Sequence, residues 1–418
     1  MNKTKDEINK DVRKVLQGCL ENKEKGGSII ADMGSGKTLM GIDFGLKDYK
    51  AKSILVVSPR GNLTGHLKDG ENSWEKEIKK WYPNELSKFT LETIQTAYKW
   101  KNKSFDVVIL DEVHTIMTEK YSDLLKNNKF GFILGLTGTE GVDIVGKQNL
   151  YDTYAPIVYT YKDSAEDGLI NKTRILVFER TLNNDFKVKS GSKKKSFMQG
   201  EFDRYEYLSN QIKRGQTLMA IAGSDDFWQD GVDWFYKNNA PNSKARIAAM
   251  TYLNAIRMRK KLLHNTSSGV FYAKHLKQQI LKKNTTNKVL IFAEENAQVA
   301  KITDQLYYSK QSKAKNNENL TKFEDSDIRE LGSSKGLTLG LNIDGANHAI
   351  LESYVGSKTD QSQKKGRLHR LKKDEVATFI ILKITGTQSE QWFNKIIEGF
   401  NTEDIQYFTN MNDLIKKL

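Results

Sequence analysis

The stretch Ser28-Ile29-Ile30-Ala31-Asp32-Met33-Gly34-Ser35-Gly36-Lys37-Thr38 decides how the rest of the chain is read. An apolar run with strand character passes into a glycine-bearing turn, and Lys37-Thr38 leads into Leu39-Met40-Gly41-Ile42, which reads as the opening of a helix. Strand, small-residue turn, Lys-Thr and helix in that order make a phosphate-binding loop, in which backbone N–H groups curl around a polyphosphate and the helix N-terminus adds its positive dipole end. Met33, Gly34, Ser35, Gly36, Lys37 and Thr38 then hold ATP: Lys37 reaches the β- and γ-phosphates, and the Thr38 hydroxyl completes the shell of a Mg²⁺ ion. Ala31 stands where such a loop usually begins with glycine. A glycine-rich strand-to-helix turn with a surface lysine is the plainer reading of the loop taken alone.

Upstream, residues 5–24 read as a helix with Ile8, Val12, Val15, Leu16 and Leu20 on one face. Gln17 on that helix has an amide able to pair with both edges of adenine, or simply to face water. Downstream, the apolar run Ser53–Pro59 reads as a buried parallel strand, and Leu91–Thr96 as another short strand ending in polar residues. The residues at their carboxyl ends, Arg60, Gly61, Gln95 and Thr96, face the ligand crevice of such a sheet and are candidates for nucleic-acid contacts. Trp74–Pro83 reads as an amphipathic helix whose tryptophans belong to the core.

The second strong signal is Phe105-Asp106-Val107-Val108-Ile109-Leu110-Asp111-Glu112-Val113-His114. A buried strand delivers two adjacent carboxylates to the ligand edge, Asp111 to hold Mg²⁺ through its water shell and Glu112 to polarise an attacking water. The strand Phe132–Leu136 ends in Thr137-Gly138-Thr139, hydroxyls able to hydrogen-bond the acidic pair.

The 418 residues suffice for two or three domains with their own cores. One cysteine, Cys19, excludes an internal disulfide and suits a reducing cytoplasm. Met1–Asp6 is polar and no apolar run is long enough to span a membrane, so the expectation is a cytoplasmic protein with no membrane partner. A net charge of +14 and a pI near 9.3 suit a polyanionic partner, although a scattered lysine-rich surface gives the same total.

In order and spacing these motifs resemble those of superfamily 2 helicases and translocases. Ala31–Thr38 is similar to motif I, Asp111-Glu112-Val113-His114 to a DEAH-like motif II, and Leu136–Thr139 to motif III. In the second half, Lys288–Ala293 resembles motif IV, Leu331–Ile343 motif V, and Gln363-Lys364-Lys365-Gly366-Arg367-Leu368-His369-Arg370 motif VI. Val113, Asn342 and Lys364 replace the family's usual Ala, Asp and Arg.

The resemblance implies an α/β fold of two tandem RecA-like P-loop domains, parallel sheets flanked by helices, closing over ATP. The second contributes Gly340, Asn342, Gln363 and the finger arginines Arg367 and Arg370, with Ser333 and Lys335 on nucleic acid. Residues 1–165 are expected to form the first domain, and 166–182 with 281–395 the second. Residues 183–280 read as a mainly helical insertion, and 396–418 as a helical tail; Ser309–Asn317 reads as an exposed polar loop. The motif wording is closer to DNA than to RNA motors. The compact size resembles bacteriophage helicases that remodel single-stranded, forked or branched DNA in recombination and replication, working as a monomer in the host cytoplasm. An RNA helicase and a duplex translocase that separates no strands are the alternatives.

Overall fold

A computed structural model describes residues 3–32, 34–59, 73–138, 147–161, 167, 173–191, 195–221, 243–308, 311–334, 345–356, 376–398 and 405–418. Six strands, β1 (Gly26–Ala31), β2 (Ile54–Ser58), β3 (Phe89–Thr93), β4 (Ser104–Asp111), β5 (Lys129–Thr137) and β6 (Ile157–Tyr161), form one sheet in the order β3-β2-β4-β5-β1-β6. Every neighbouring pair is parallel. Alternate residues of these apolar runs serve opposite faces. Val107 and Ile109 of β4 pack with Ile8, Val12, Phe44 and Trp74, whereas Val108 and Leu110 pack with Ile94, Val113, Leu124 and Tyr151. Both faces are therefore covered, and polar chemistry is confined to the strand ends.

The second sheet has the same character. Strands β7 (Thr173–Thr181), β10 (Val289–Phe292), β11 (Glu330–Ser333), β12 (His348–Leu351), β13 (Ala377–Thr385) and β14 (Ile405–Phe408) run parallel in the order β11-β10-β12-β13-β7-β14. Between β7 and β10 lie an antiparallel hairpin, β8 (Lys187–Gly191) and β9 (Ser196–Gly200), and three long helices, Glu201–Ile221, Lys244–Leu263 and Ser267–Lys283. The α/β architecture of two helix-flanked parallel sheets is the one expected.

Four local readings differ. The stretch Ser309–Asn317 is not simply a loop: Ser312 caps a helix Lys313–Glu324 by accepting a hydrogen bond from the Lys315 N–H. That helix buries Leu320 and Phe323 despite its polar start. The strand expected to run through Gln95 and Thr96 ends at Thr93, and both residues lie on a short helix, Ile94–Ala97. The segment read as a helical tail contributes the edge strand β14 before its last helix, Met411–Lys417, because Ile405 and Phe408 complete the two cores of the second sheet. Within the stretch read as a helical insertion, Ala273, Leu276 and Ile280 of helix Ser267–Lys283 pack against Val289, Ile291 and Ile380 of the sheet. Residues 222–242 of the expected helical insertion lie outside the described residues.

Candidate functional site

Three neighbouring strands of the first sheet end together. The register pairs Ile30 of β1 with Thr137 of β5, and Leu136 of β5 with Asp111 of β4. The loop after β1 thus sits beside the carboxylates after β4, with the Thr137 hydroxyl between them. Gly34 and Gly36 have φ of 81° and 92°, left-handed values that favour glycine and turn the chain sharply into the helix Lys37–Asp43. Ser35 is buried and its hydroxyl donates to the Asp32 carbonyl at 2.7 Å. Lys37 Nζ donates to the carbonyls of Ala31 at 2.6 Å and Asp32 at 3.0 Å, which fixes the ammonium at the mouth of the loop. Burial lowers the Lys37 pKa, while Glu112, Asp111 and Asp32 act to hold the proton on.

Asp111 is doubly anchored. Its Oδ2 accepts from the Trp74 indole N–H at 2.9 Å and its Oδ1 from the Glu112 N–H at 3.1 Å. Burial and the neighbouring Glu112 push its carboxyl up to about 6, against the pull of the Trp74 N–H and Lys37. Glu112 itself is a non-glycine residue at φ 50°, ψ 50°. The Thr137 hydroxyl donates to Glu112 Oε2 at 3.3 Å and lies 2.7 Å from His114 Nδ1. Burial lowers the His114 pKa to about 4, so the ring is neutral. A proton on Nδ1 then completes a relay in which imidazole donates to Thr137 and Thr137 to Glu112, leaving Nε2 buried with no partner among the described residues.

This arrangement fits ATP and Mg²⁺ by the chemistry of its donors. Hard oxygens for a small divalent cation come from Asp111 and Thr38, a cation for phosphate oxygens comes from Lys37, and the backbone is open at Gly36, where a Cβ would meet nothing within 4 Å. Of the other expected residues, Gln17 is exposed and its amide donates to Asp48 at 3.0 Å, beside the Arg13–Asp48 ion pair. Gln95 and Thr96 are exposed at the carboxyl edge, where the Gln95 amide donates to the Pro59 carbonyl at 2.6 Å. Ser333 corrects its expectation: as the last residue of β11, in register with Phe292, it is only 1% exposed and is covered rather than presented. Met33, Arg60, Gly61, Thr139, Lys335, Gly340, Asn342, Gln363, Arg367 and Arg370 lie outside the described residues. Trp74 and His114 are the site residues that the sequence did not single out for a role, since their partners stand 37 and 23 residues away.

Residues 1–141 match a family described as type III restriction enzyme, res subunit, and residues 272–372 one described as helicase conserved C-terminal domain. The chain is 26% identical over 391 residues to the DNA 3'-5' translocase XPB2 of Sulfurisphaera tokodaii, covering 87% of this chain and 79% of that protein. Its fold is similar to the Hef helicase domain of Pyrococcus furiosus, with a TM-score of 0.54 at 15% identity, over 91% of this chain and 96% of the other. Among the described residues no helix is long and apolar enough to cross a membrane.

Proposed function

We propose that the chain, similar in its two halves to helicase and restriction-enzyme motor families, is a nucleic-acid-dependent ATPase that moves on DNA as it hydrolyses ATP. The observation that carries this reading is the convergence of Lys37, Asp111, Glu112 and Thr137 at the ends of three adjacent strands. Lys37 and the loop amides grip the phosphates; Thr38 and Asp111 hold the metal. Mg²⁺, when bound, neutralises charge that develops across the β- and γ-phosphoryl oxygens. Glu112 accepts a proton from the attacking water, oriented by the Thr137 hydroxyl. Gln17 serves adenine once its amide leaves Asp48.

From the second domain, Gly340, Asn342, Gln363, Arg367 and Arg370 complete the nucleotide site, the arginines supplying charge to the transferring phosphoryl group. Arg60, Gly61, Gln95, Thr96 and Lys335 grip the nucleic-acid backbone, and Ser333 supports that contact from beneath. Such contacts carry no sequence code, so binding is sequence-independent and weakens with salt.

Support for DNA as the track comes from the motif wording and from XPB2, which is named a DNA translocase. We assign forked or branched DNA, of the kind met in phage-type recombination and replication, as the preferred substrate of a monomeric motor. The name of that relative equally favours translocation without strand separation. The deciding experiment measures ATPase stimulation by single-stranded, duplex, forked and four-way DNA and by RNA, with triplex displacement and unwinding run in parallel. Branched DNA should stimulate most. Stronger stimulation by RNA overturns the assignment, and triplex displacement without unwinding selects the translocase.

A further inference from the structure

An open groove of about 600 Å³ lies between the β8–β9 hairpin and the helix pair Glu201–Ile221 and Lys244–Leu263, remote in sequence from the nucleotide-site motifs. Its walls carry Phe197, Gln199, Arg204, Tyr207, Asn254 and Met258. Phe197 and Tyr207 are 57% and 50% exposed, unusual for large aromatic side chains. The Arg204 guanidinium lies 5.3 Å from the centre of the Tyr207 ring and 3.9 Å from Met258 Sδ. The groove is firmly mounted. Gly215 lets the two helices meet at the Tyr252 backbone, Glu201 accepts from the Ser268 N–H and hydroxyl, and Arg259 donates to Gln388 in the loop after β13.

Charge decides the occupant. The hairpin contributes Lys187, Lys189 and Lys195, and helix Lys244–Leu263 contains Lys244, Arg246, Arg257, Arg259, Lys260 and Lys261, with no Asp or Glu among these described residues. Helix Glu201–Ile221 is balanced, its three acids (Glu201, Asp203, Glu206) matching Arg204, Lys213 and Arg214. The described residues of these elements thus carry a surplus of +9, against +14 for the whole chain. An aromatic groove with amide groups, set in a frame of net positive charge, suits a flat, uncharged group borne on a polyanion. We propose that this groove takes an unpaired base of single-stranded DNA, stacked on Tyr207 and Phe197, while the surrounding lysines and arginines hold the flanking phosphates. The inference rests on the reading of the chain as a DNA motor and adds a site that distinguishes unpaired from paired strands.

The test uses the full chain and ATPase stimulation by an oligothymidine and by a blunt duplex. Tyr207→Ala should raise the half-saturating oligothymidine concentration about tenfold, within the range that loss of one stacked base produces. It should leave the DNA-free rate and the duplex response unchanged, and Tyr207→Phe should restore wild-type behaviour. An oligonucleotide bearing 5-iodouracil should crosslink to the segment 197–207. If Tyr207→Ala and Phe197→Ala both leave the oligothymidine response intact while the parent protein is stimulated, the groove is not a base site and the motor reading stands. Equal weakening of single-strand and duplex responses also overturns the stacking assignment. Absence of stimulation in the parent protein by any nucleic acid overturns the motor reading first, and this site with it.

Discussion

At Glu112 the chain adopts a left-handed conformation that costs a non-glycine residue on the order of 1 kcal/mol. The cost has a geometric return. Turning sharply after β4 sends Asp111 toward the Trp74 indole and Glu112 toward Thr137, so two adjacent carboxylates stand in different surroundings. On the proposed roles, Glu112→Gln preserves the fold and ATP affinity but lowers turnover about 10²–10⁴-fold, the usual worth of a general base. Steady-state hydrolysis and a nucleotide titration check it, and an equal loss of affinity would reassign the residue to binding. Trp74→Phe keeps the ring in the core but removes the N–H that fixes Asp111. By analogy with outer-shell partners of metal ligands, it should weaken Mg²⁺-dependent activity about 10–100-fold, read as a raised Mg²⁺ requirement. The loop and the acidic pair were legible in the sequence because each occupies one short continuous stretch. Trp74 was legible only as core, since its second duty depends on a partner brought in by sheet order.

Among the elements, the buried node at the carboxyl edge of the second sheet joins β7, β12 and the helices around Glu201 and Ser267. Arg180 donates to Ser268 at 2.5 Å and Thr266 at 2.9 Å; Ser268 donates to Glu201; Gln298 donates to Glu352 at 3.0 Å. All of these groups are 6% exposed or less. One guanidinium thus balances two carboxylates. Arg180→Met should destabilise the protein by about 3–5 kcal/mol, because both acids then remain buried without a cation; urea unfolding measures this. Burial pushes the Glu352 carboxyl up to about 6, above its ordinary value, with Gln298, Arg180 and Ser353 opposing and Glu201 reinforcing. The folded protein therefore holds this proton more tightly than the unfolded chain does. Its contribution is full below about pH 4.5 and is lost as pH rises through about 6. Relative to Glu352→Gln, the wild type should lose about 1 kcal/mol of unfolding free energy between pH 5 and pH 8. A difference that does not change with pH would mean that Glu352 stays ionised throughout. The long helices were legible by their period, but this node was not, because its members come from five separate segments. The strand β14 escaped for a related reason: four residues on an edge carry too little pattern to tell strand from helix.

On the scale of the whole molecule, two parallel sheets of like topology each gather their polar chemistry at the carboxyl ends of apolar strands. On the proposed roles the first sheet carries phosphate grip, metal ligands and a base, yet among its described site residues the only cation is Lys37, already held by two carbonyls. One ammonium is little positive charge to oppose the negative charge that collects on a transferring phosphoryl group. Beside the Mg²⁺ proposed for this site, the resemblance of Gln363–Arg370 to motif VI offers a further source of positive charge in the second half. On that proposed division of labour, hydrolysis would depend on closure of the two halves, and the nucleotide would drive movement. Arg370→Ala should therefore slow hydrolysis about 10³-fold while changing ATP affinity less than about threefold, because a finger acts on the transition state more than on bound ATP. Single-turnover hydrolysis alongside equilibrium nucleotide binding separates the two quantities. An equal fall in both would make Arg370 a ground-state binding residue, and closure would no longer be what couples the chemistry to the track.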